Sequence, residues 1–165
     1  MTDTPAIGNL VARLADALLA RRQMVCTAES CTGGGIAAAM TDRPGSSRWF
    51  ERGFVTYSND AKIENLRVQA QTLDTAGAVS EATVREMALG ALGASRADWS
   101  IAVSGIAGPD GGSADKPVGT VCFAWAGPGR RCRVETRHFP GDRSTVRAAT
   151  VRHALEGLLN LCDTV

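Results

Sequence analysis

Three consecutive glycines a few residues after a short apolar run are the strongest constraint in this sequence. The apolar pair Met24–Val25 leads into Thr27–Ser30, and Gly33–Gly35 follow two residues later. This order predicts a strand, a tight turn and the start of a helix. A helix start presents unpaired N–H groups and a partial positive charge, which suit a phosphate, a carboxylate or an oxyanion. A hydroxyl at such a turn, here that of Ser30, is a candidate nucleophile.

The same residues have a purely structural interpretation. Ser30 or Thr32 can serve as an ordinary helix N-cap, and the glycines can simply allow a tight turn or close packing. The stretch also lacks the G-x-S-x-G pattern, so an α/β-hydrolase elbow is not supported. The choice between a structural and a catalytic turn therefore depends on residues elsewhere in the chain.

Hydrophobic periodicity and turn signals place the remaining elements. Apolar residues at helical spacing predict a first helix that ends near Arg22 and a last helix capped by Asp142. A polar loop is predicted from Gln69 to Ala78. The other predicted segments are strands at Met24–Ala28, Phe50–Ser58, Asp98–Ser104, Val118–Ala126 and Arg133–Phe139, and helices at Thr32–Met40, around Lys62–Leu66 and from Ser80 to near Gly93.

The order of these elements predicts the fold class. Helices alternate with strands early, and Gly127–Gly129 joins two strands late. We therefore predict an α/β fold, a three-layer α/β/α sandwich on a mixed, mostly parallel sheet with a late antiparallel hairpin. Residues 1–165 are expected to form one domain. Ligands of open α/β sheets bind beyond the carboxyl ends of strands, where a second glycine-rich loop, Gly105–Gly112, is expected to meet the first.

Charge and composition argue against several classes of protein. The net charge of +1 and the lack of a long basic block argue against a nucleic-acid partner. No stretch has the apolar length of a membrane span, and Met1–Pro5 does not resemble a signal peptide, so a cytoplasmic protein is expected. The five cysteines have no C-x-x-C spacing, and His138 and His153 stand apart, so neither a disulfide framework nor a metal site is expected.

Lysine is nearly excluded from this chain. Of the 18 basic residues only Lys62 and Lys116 are lysines, and the others are arginines. Because lysine is the cation that can be neutralised for base chemistry, each lysine is a candidate for a specific role. Lys116 ends an S-x-x-K sequence that begins at Ser113, but this motif requires a helix start, and here a Gly/Pro-rich loop surrounds it.

Short sequence words spread over most of the chain resemble one family. In order they are A-E-S-C-T-G-G, P-G-S-S, V-T-Y-S-N-D-A-K, G-A-V-S-E, G-I-A-G-P-D-G-G, K-P-V-G-T-V and F-P-G-D-R. They resemble the C-terminal domain family of the competence/damage-inducible protein CinA, the nicotinamide-nucleotide amidohydrolases. The resemblance implies hydrolysis of the carboxamide of nicotinamide mononucleotide (NMN) to nicotinate mononucleotide and ammonia. It also implies helices on both faces of a mixed sheet, no metal, no other cofactor, and the stand-alone form that lacks the molybdopterin-binding-like domain of longer members.

The resemblance and the needs of amide hydrolysis together give roles to matching residues. Ser30 is the expected nucleophile, Lys62 the neutral base, and Tyr57 a proton relay or a partner of Ser30. The amides of Gly33 and Gly34 are expected to form the oxyanion hole. Cys31 is expected to be a bystander, because adjacent side chains rarely point into the same pocket. The residues expected to line the nucleotide pocket are Thr32, Ser104, Gly105 and Gly108, with Arg143 as phosphate ligand.

Each assignment has an ordinary alternative. Lys62 can be a solvated helix lysine, Tyr57 an edge residue packed on the sheet, and Arg143 a solvated, ion-paired arginine. The alternative function is a non-catalytic nucleotide-binding or regulatory module of the same fold. In either case we expect a small-molecule nucleotide as the ligand, no membrane partner, and a homo-oligomer. The sequence departs from the usual family pattern at Ser104, Arg52 and Gly35.

Overall fold

The computed structural model describes residues 4–164, in which a five-stranded sheet lies between two layers of helices. The strands are β1 Val25–Glu29, β2 Phe50–Val55, β3 Trp99–Gly105, β4 Thr120–Ala126 and β5 Cys132–His138. The helices are α1 Thr4–Arg21, α2 Gly35–Thr41, α3 Asn59–Leu66, α4 Ala70–Ala76, α5 Glu81–Gly93 and α6 Arg143–Asp163. In this part of the chain no helix combines the length and the hydrophobicity needed to cross a membrane.

The strand order puts the end of β1 at the centre of the parallel part of the sheet. The order is β2-β1-β3-β4-β5, in which β1 pairs in parallel with both β2 and β3. Strand β4 is antiparallel to β3 and to β5, so the late hairpin is present. The predicted three-layer α/β/α sandwich on a mixed sheet is confirmed. The carboxyl end of β1 is consequently flanked by the carboxyl ends of two parallel neighbours.

The two faces of the sheet carry side chains of different size, and this difference shapes the two helical layers. On one face, large residues such as Phe123 and Trp125 pack with α1, α2 and α6. On the other face, small residues such as Ala102 and Ala124 pack with α3, α4 and α5. Strand alternation separates the two sets, because successive side chains point to opposite faces. The small residues allow α5 to lie close to the sheet.

The predicted start of the second helix is wrong by three residues. Helix α2 begins at Gly35 and not at Thr32. The φ angles of Gly33 and Gly34 are 58° and 98°, which lie in the left-handed region and outside the right-handed helix. The glycines therefore belong to the turn and not to the helix.

Two further predictions about chain segments are wrong. The second strand, predicted for Phe50–Ser58, ends at Val55 because the chain then turns into α3. The predicted loop Gln69–Ala78 contains the short helix α4. Its one buried residue is Leu73, which packs with the core between α3, α5 and the sheet. A single apolar anchor in a polar stretch gives no helical periodicity, so the sequence pattern does not indicate this helix.

A close helix contact sets the position of α3. Gly90 of α5 lies against the carbonyl oxygen of Leu66, the last residue of α3, and a Cβ at Gly90 would overlap that oxygen. Only glycine allows such an approach of two backbones. Because Leu66 lies one helical turn after Lys62, this contact also determines where Lys62 can reach.

We expect Gly90→Ala to lower the free energy of unfolding by about 1–3 kcal/mol, because the added methyl group must displace backbone. Gly93→Ala in the same helix is the matched control, since nothing lies within 4 Å of a Cβ built there. The control should be neutral or slightly stabilising. Urea unfolding followed by circular dichroism measures both variants. Equal free energies of unfolding for the two variants would show that the close contact at Gly90 does not exclude a side chain there.

Candidate active site

The chain turns sharply after β1, and Ser30 is the first residue of this turn. Its amide donates to the carbonyl oxygen of Val103 at 3.1 Å, which ties the turn to β3. The left-handed conformations of Gly33 and Gly34 then direct the chain into α2. Ser30 is 8% exposed, so its hydroxyl lies at the boundary between core and solvent.

A buried carboxyl group supports this turn from the inside. Glu29, the last residue of β1, is 0% exposed. Its Oε1 accepts hydrogen bonds from Thr32 Oγ1 at 2.5 Å and from the Ile36 amide at 2.9 Å. Its Oε2 accepts one from the Ala37 amide at 3.0 Å. The carboxyl group thus accepts hydrogen bonds from the amides at the start of α2. The sequence analysis predicts that these unpaired amides bind a ligand.

Lys62 brings a buried amine to Ser30. Lys62 is 1% exposed, although it belongs to a helix with exposed neighbours. Its Nζ donates to Ser30 Oγ at 3.2 Å and to the carbonyl oxygens of Thr56 at 2.9 Å and Tyr57 at 3.3 Å. Within residues 4–164 no carboxylate lies at ion-pair distance from this nitrogen. The amine is therefore oriented by neutral oxygen atoms alone.

Burial also changes the acidity of this amine. It lowers the pKa of Lys62 below its ordinary value of 10.5, because the charged form loses its hydration, and the nearby Cys31 opposes that shift. No full negative charge among the described residues compensates for the burial. The neutral amine is consequently easier to form here than in water.

The turn between β2 and α3 aims the lysine side chain. The amide of Thr56 donates to the Glu29 carbonyl oxygen at 2.9 Å and so continues the pairing with β1 beyond the end of β2. Ser58 then caps α3, since its Oγ accepts a hydrogen bond from the Ala61 amide at 3.0 Å. The cap fixes the direction of the first helical turn, and the lysine side chain extends from that turn toward the end of β1.

The Tyr57 hydroxyl is bound by Arg143 and not by Ser30. Tyr57 is 60% exposed, and its hydroxyl oxygen accepts a hydrogen bond from Arg143 Nη2 at 3.1 Å. Arg143 Nη1 donates to the Gly108 carbonyl oxygen at 2.9 Å. Arg143 thus joins the β2–α3 turn to the glycine-rich loop after β3. In the described chain it has no carboxylate partner, so its charge is not neutralised.

A pocket of about 500 Å³ opens beside this bridge. Arg143 and Arg147 contribute two positive charges to its wall. Neither Ser30 nor Lys62 lines it, but Arg147 connects it to the turn that carries Ser30. The other lining residues are Ala107, Pro109, Val118, Gly141, Asp142 and Ser144.

Arg147 holds the outer side of the Ser30 turn. Its Nε donates to the Cys31 carbonyl oxygen and its Nη2 to the Thr32 carbonyl oxygen, both at 3.1 Å. A Cβ on Gly33 would lie 3.6 Å from Nη2, so the guanidinium also lies beside the glycines. The turn is therefore held between Glu29 on the inside and Arg147 on the outside.

The residues at the end of β3 lie next to this turn. Ser104 is 1% exposed. A Cβ on Gly105 would lie 3.0 Å from the Thr120 carbonyl oxygen and 3.2 Å from Cys31 Sγ, so this position requires glycine for close approach. Gly108 has a φ of 82°, and its carbonyl oxygen is the one that Arg143 binds. Gly105 thus lies against the turn and Gly108 is tied to Arg143, but none of these three residues lines the 500 Å³ pocket itself.

The amides of the turn are not equivalent. The Gly33 amide donates to the Ser30 carbonyl oxygen at 3.0 Å, whereas those of Thr32 and Gly34 have no acceptor within the described residues. The Thr32 hydroxyl is used by Glu29. Burial raises the pKa of Cys31 to about 11, which leaves its thiol protonated near neutral pH.

Glu29 and Arg147 are the two site residues that the sequence analysis does not identify. Each nevertheless has a signal in the sequence. Glu29 is an acidic residue at the end of a strand that is buried throughout, and Arg147 follows Arg143 by one helical turn on the same face of α6. Among residues 4–164 no group of three or more His, Cys, Asp or Glu side chains is arranged to hold a metal ion.

Comparison with known proteins gives relatives over nearly the whole chain. Nicotinamide-nucleotide amidohydrolase PncC from Escherichia coli K12 is 52% identical over 158 residues, which cover 96% of this chain and 95% of the relative. The protein of the same name from Pseudomonas putida is 54% identical over 155 residues, with 94% and 96% covered.

Solved structures agree with this relationship. The competence/damage inducible protein CihA from Agrobacterium tumefaciens has a TM-score of 0.91 at 49% identity, with 94% of each chain covered. A CinA superfamily protein from Klebsiella pneumoniae has a TM-score of 0.92 at 42% identity, with 96% of this chain and 99% of its own covered. The family model described as the CinA C-terminal domain matches residues 8–162. The resemblance seen in the sequence words is confirmed, and the chain belongs to the CinA C-terminal domain family.

Proposed function

We propose that this chain hydrolyses the carboxamide of NMN to nicotinate mononucleotide and ammonia, with Ser30 as nucleophile and Lys62 as general base. The contact of 3.2 Å between the buried amine of Lys62 and the hydroxyl of Ser30 carries the proposal. A buried lysine is normally paired with a carboxylate, whereas this one contacts a hydroxyl and two carbonyl oxygens. The substrate is suggested by the name of the relatives, nicotinamide-nucleotide amidohydrolase.

Acylation begins when the neutral Lys62 amine accepts the Ser30 proton while Oγ forms a bond to the carboxamide carbon. The carbonyl electron pair moves to oxygen and gives a tetrahedral oxyanion. Protonated Lys62 then donates its proton to the amide nitrogen. The C–N bond breaks, ammonia leaves, and the nicotinoyl group remains as an ester on Ser30.

Deacylation uses the same two residues in reverse. Lys62, neutral again, accepts a proton from a water molecule that attacks the ester carbon. The second tetrahedral oxyanion collapses, the bond to Ser30 Oγ breaks, and Oγ regains its proton from Lys62. The carboxylic acid product loses its proton to solvent and leaves as nicotinate mononucleotide.

The turn amides provide the oxyanion site in this scheme. The amides of Thr32 and Gly34 take the role predicted for those of Gly33 and Gly34, because the Gly33 amide already donates to the Ser30 carbonyl oxygen. Donors aimed at a developing oxyanion stabilise the transition state more than the ground state, since the charge exists only there.

Arg143 is assigned to the phosphate of the substrate. Its charge is not paired with a carboxylate among the described residues, and it lines the 500 Å³ pocket next to the turn. Tyr57, whose hydroxyl is ordered by Arg143, is assigned to the entrance of the site and not to proton transfer. Ser104, Gly105 and Gly108 are assigned to the region between the turn that carries Ser30 and this pocket.

The decisive experiment is to incubate the purified protein with NMN and to measure ammonia and nicotinate mononucleotide. Ser30→Ala should lower kcat by at least about a thousandfold while the protein stays folded, because the nucleophile is lost. Cys31→Ala is the matched control and should retain most of the turnover, because a buried, protonated thiol takes no part. NMN binding without ammonia release would instead support the non-catalytic module.

Lys62→Met and Lys62→Arg should be similarly inactive, because neither side chain can accept the Ser30 proton. In the unsubstituted protein kcat/KM should rise with pH through the pKa of Lys62, which burial places below 10.5, and level off above it. A Lys62→Arg variant with substantial turnover would mean that only the positive charge matters.

Unfolding provides an independent measurement for Lys62. A lysine whose pKa is lower in the folded state than in the unfolded state destabilises the fold when it is charged. This destabilisation is complete at pH values below the folded-state pKa. It disappears at pH values above the unfolded-state pKa near 10.5, where the lysine is neutral in both states. Lys62→Met should therefore be more stable than the unsubstituted protein at pH 7, and the difference should shrink as the pH rises. Urea unfolding at several pH values measures this trend, and a less stable Lys62→Met protein at pH 7 would oppose it.

Arg143→Met should lower kcat/KM for NMN by roughly 10- to 100-fold, the effect of losing a charged hydrogen bond to phosphate. Nicotinamide riboside, which lacks the phosphate, should be a poor substrate that the variant hydrolyses as well as the unsubstituted protein does. Arg152→Met on the same helix is the control, because Arg152 pairs with Glu156 at the surface. If Arg143→Met lowers kcat/KM equally for both substrates, Arg143 supports the protein structure and does not bind the phosphate.

Three further expectations stay predictions. They are the single domain over residues 1–165, the cytoplasmic location and the homo-oligomer.

A further inference from the structure

Arg147 makes an unusual contact for an arginine in a solvent-facing part of a helix. Its guanidinium donates from two nitrogens to two consecutive carbonyl oxygens, those of Cys31 and Thr32. No carboxylate lies within ion-pair distance of it in the described part of the chain. Its bonding capacity is therefore directed at the backbone that immediately follows Ser30.

Because the peptide bond is planar, the contact of Arg147 with two carbonyl oxygens also restricts where the amides of the same peptide units point. In a trans peptide the C=O and N–H groups of one unit point in opposite directions. Holding the Cys31 carbonyl toward α6 therefore turns the Thr32 amide away from α6, and holding the Thr32 carbonyl does the same for the Gly33 amide. The Gly33 amide indeed donates back to the Ser30 carbonyl oxygen at 3.0 Å, which completes a tight turn around Ser30.

The constraint matters because this turn contains glycines. Gly33 and Gly34 have no side chains to restrict the backbone, and both already lie in the left-handed region. Glu29 holds the Thr32 hydroxyl and the start of α2, but it does not contact the carbonyl groups of Cys31 or Thr32. The Thr32 carbonyl oxygen also accepts a hydrogen bond from the Gly35 amide at 3.0 Å. Without Arg147, the Cys31 carbonyl oxygen has no hydrogen-bond donor within the described residues. A peptide flip would then present a carbonyl oxygen where an oxyanion donor is needed.

We propose that Arg147 is a positioning residue that holds the Cys31–Thr32 and Thr32–Gly33 peptide units so that the free Thr32 amide faces the developing oxyanion. This inference rests on the proposed amide hydrolysis at Ser30. A second interpretation is that Arg147 binds the substrate phosphate, because it lines the same pocket as Arg143. The two interpretations differ in the kinetic constant they affect, since donors to an oxyanion act in the transition state and phosphate ligands also bind the ground state.

The test compares Arg147→Met, Arg147→Lys and the control Arg152→Met, each checked for folding by thermal unfolding. Arg147→Met should lower kcat for NMN about 10- to 100-fold, the range expected when reacting groups are misplaced slightly. KM and the calorimetric Kd for nicotinate mononucleotide should change less than about twofold, because ground-state binding is untouched. Arg147→Lys should recover part of kcat, because an ammonium group still donates to one carbonyl. Arg152→Met should behave as the unsubstituted protein does.

Other outcomes separate the alternatives. A raised Kd with unchanged kcat would assign Arg147 to the phosphate, and no change in either constant would remove it from the site. If the unsubstituted protein releases no ammonia from NMN, the proposed function fails, and the amide NMR signals of Thr32 and Gly33 then decide the positioning role alone. Those signals should shift or broaden in Arg147→Met, and unchanged signals would overturn the inference. If Arg147→Met does not fold, Arg147→Lys carries the same comparisons.

Discussion

The buried amine of Lys62 is the interaction on which the site depends. An amine that is 1% exposed and has no carboxylate partner among the described residues is costly to keep charged. Three oxygen atoms bind it, from Ser30, Thr56 and Tyr57, and each comes from the turn at the end of a parallel strand. The parallel pairing of β1 with β2 is thus what brings the Ser30 hydroxyl and the Lys62 amine together, and the close packing of α3 on α5 fixes the distance.

The carboxyl group of Glu29 changes what the start of α2 can do. The sequence suggests that this helix start binds an anion directly, but the Glu29 carboxyl group already accepts the Ile36 and Ala37 amides. The groups that remain free to bind an anion therefore lie further out, and they are the free amides of the turn and the guanidinium of Arg143. The arrangement separates two tasks, because the buried carboxyl group orders the turn while the amides beyond it remain available to a reacting oxygen.

Sequence reasoning succeeds here where a local pattern determines the outcome. The strand, turn and helix around Ser30 follow from apolar runs and glycines, and Lys62 is conspicuous because lysine is rare in this chain. It fails where tertiary contacts decide, since neither helical periodicity nor spacing says that Arg147 binds the carbonyls after Ser30. Sequence reasoning also fails to identify the partner of the Tyr57 hydroxyl. The position of Tyr57 in the sequence places it near Lys62, but its hydrogen-bond partner, Arg143, comes from the far end of the chain.

The use of cations in this structure follows their chemistry. Arg143 and Arg147 bind carbonyl oxygens at the edge of the site, where a permanent charge and several donors are useful. Lys116 binds the Ala76 carbonyl oxygen at 2.8 Å in a loop, a role that an arginine could also fill. Lys62 alone lies buried against a hydroxyl, where an arginine would keep its proton at every working pH. A chain that otherwise selects arginine retains lysine at the one position in this site where the proposed reaction requires the side chain to lose its charge.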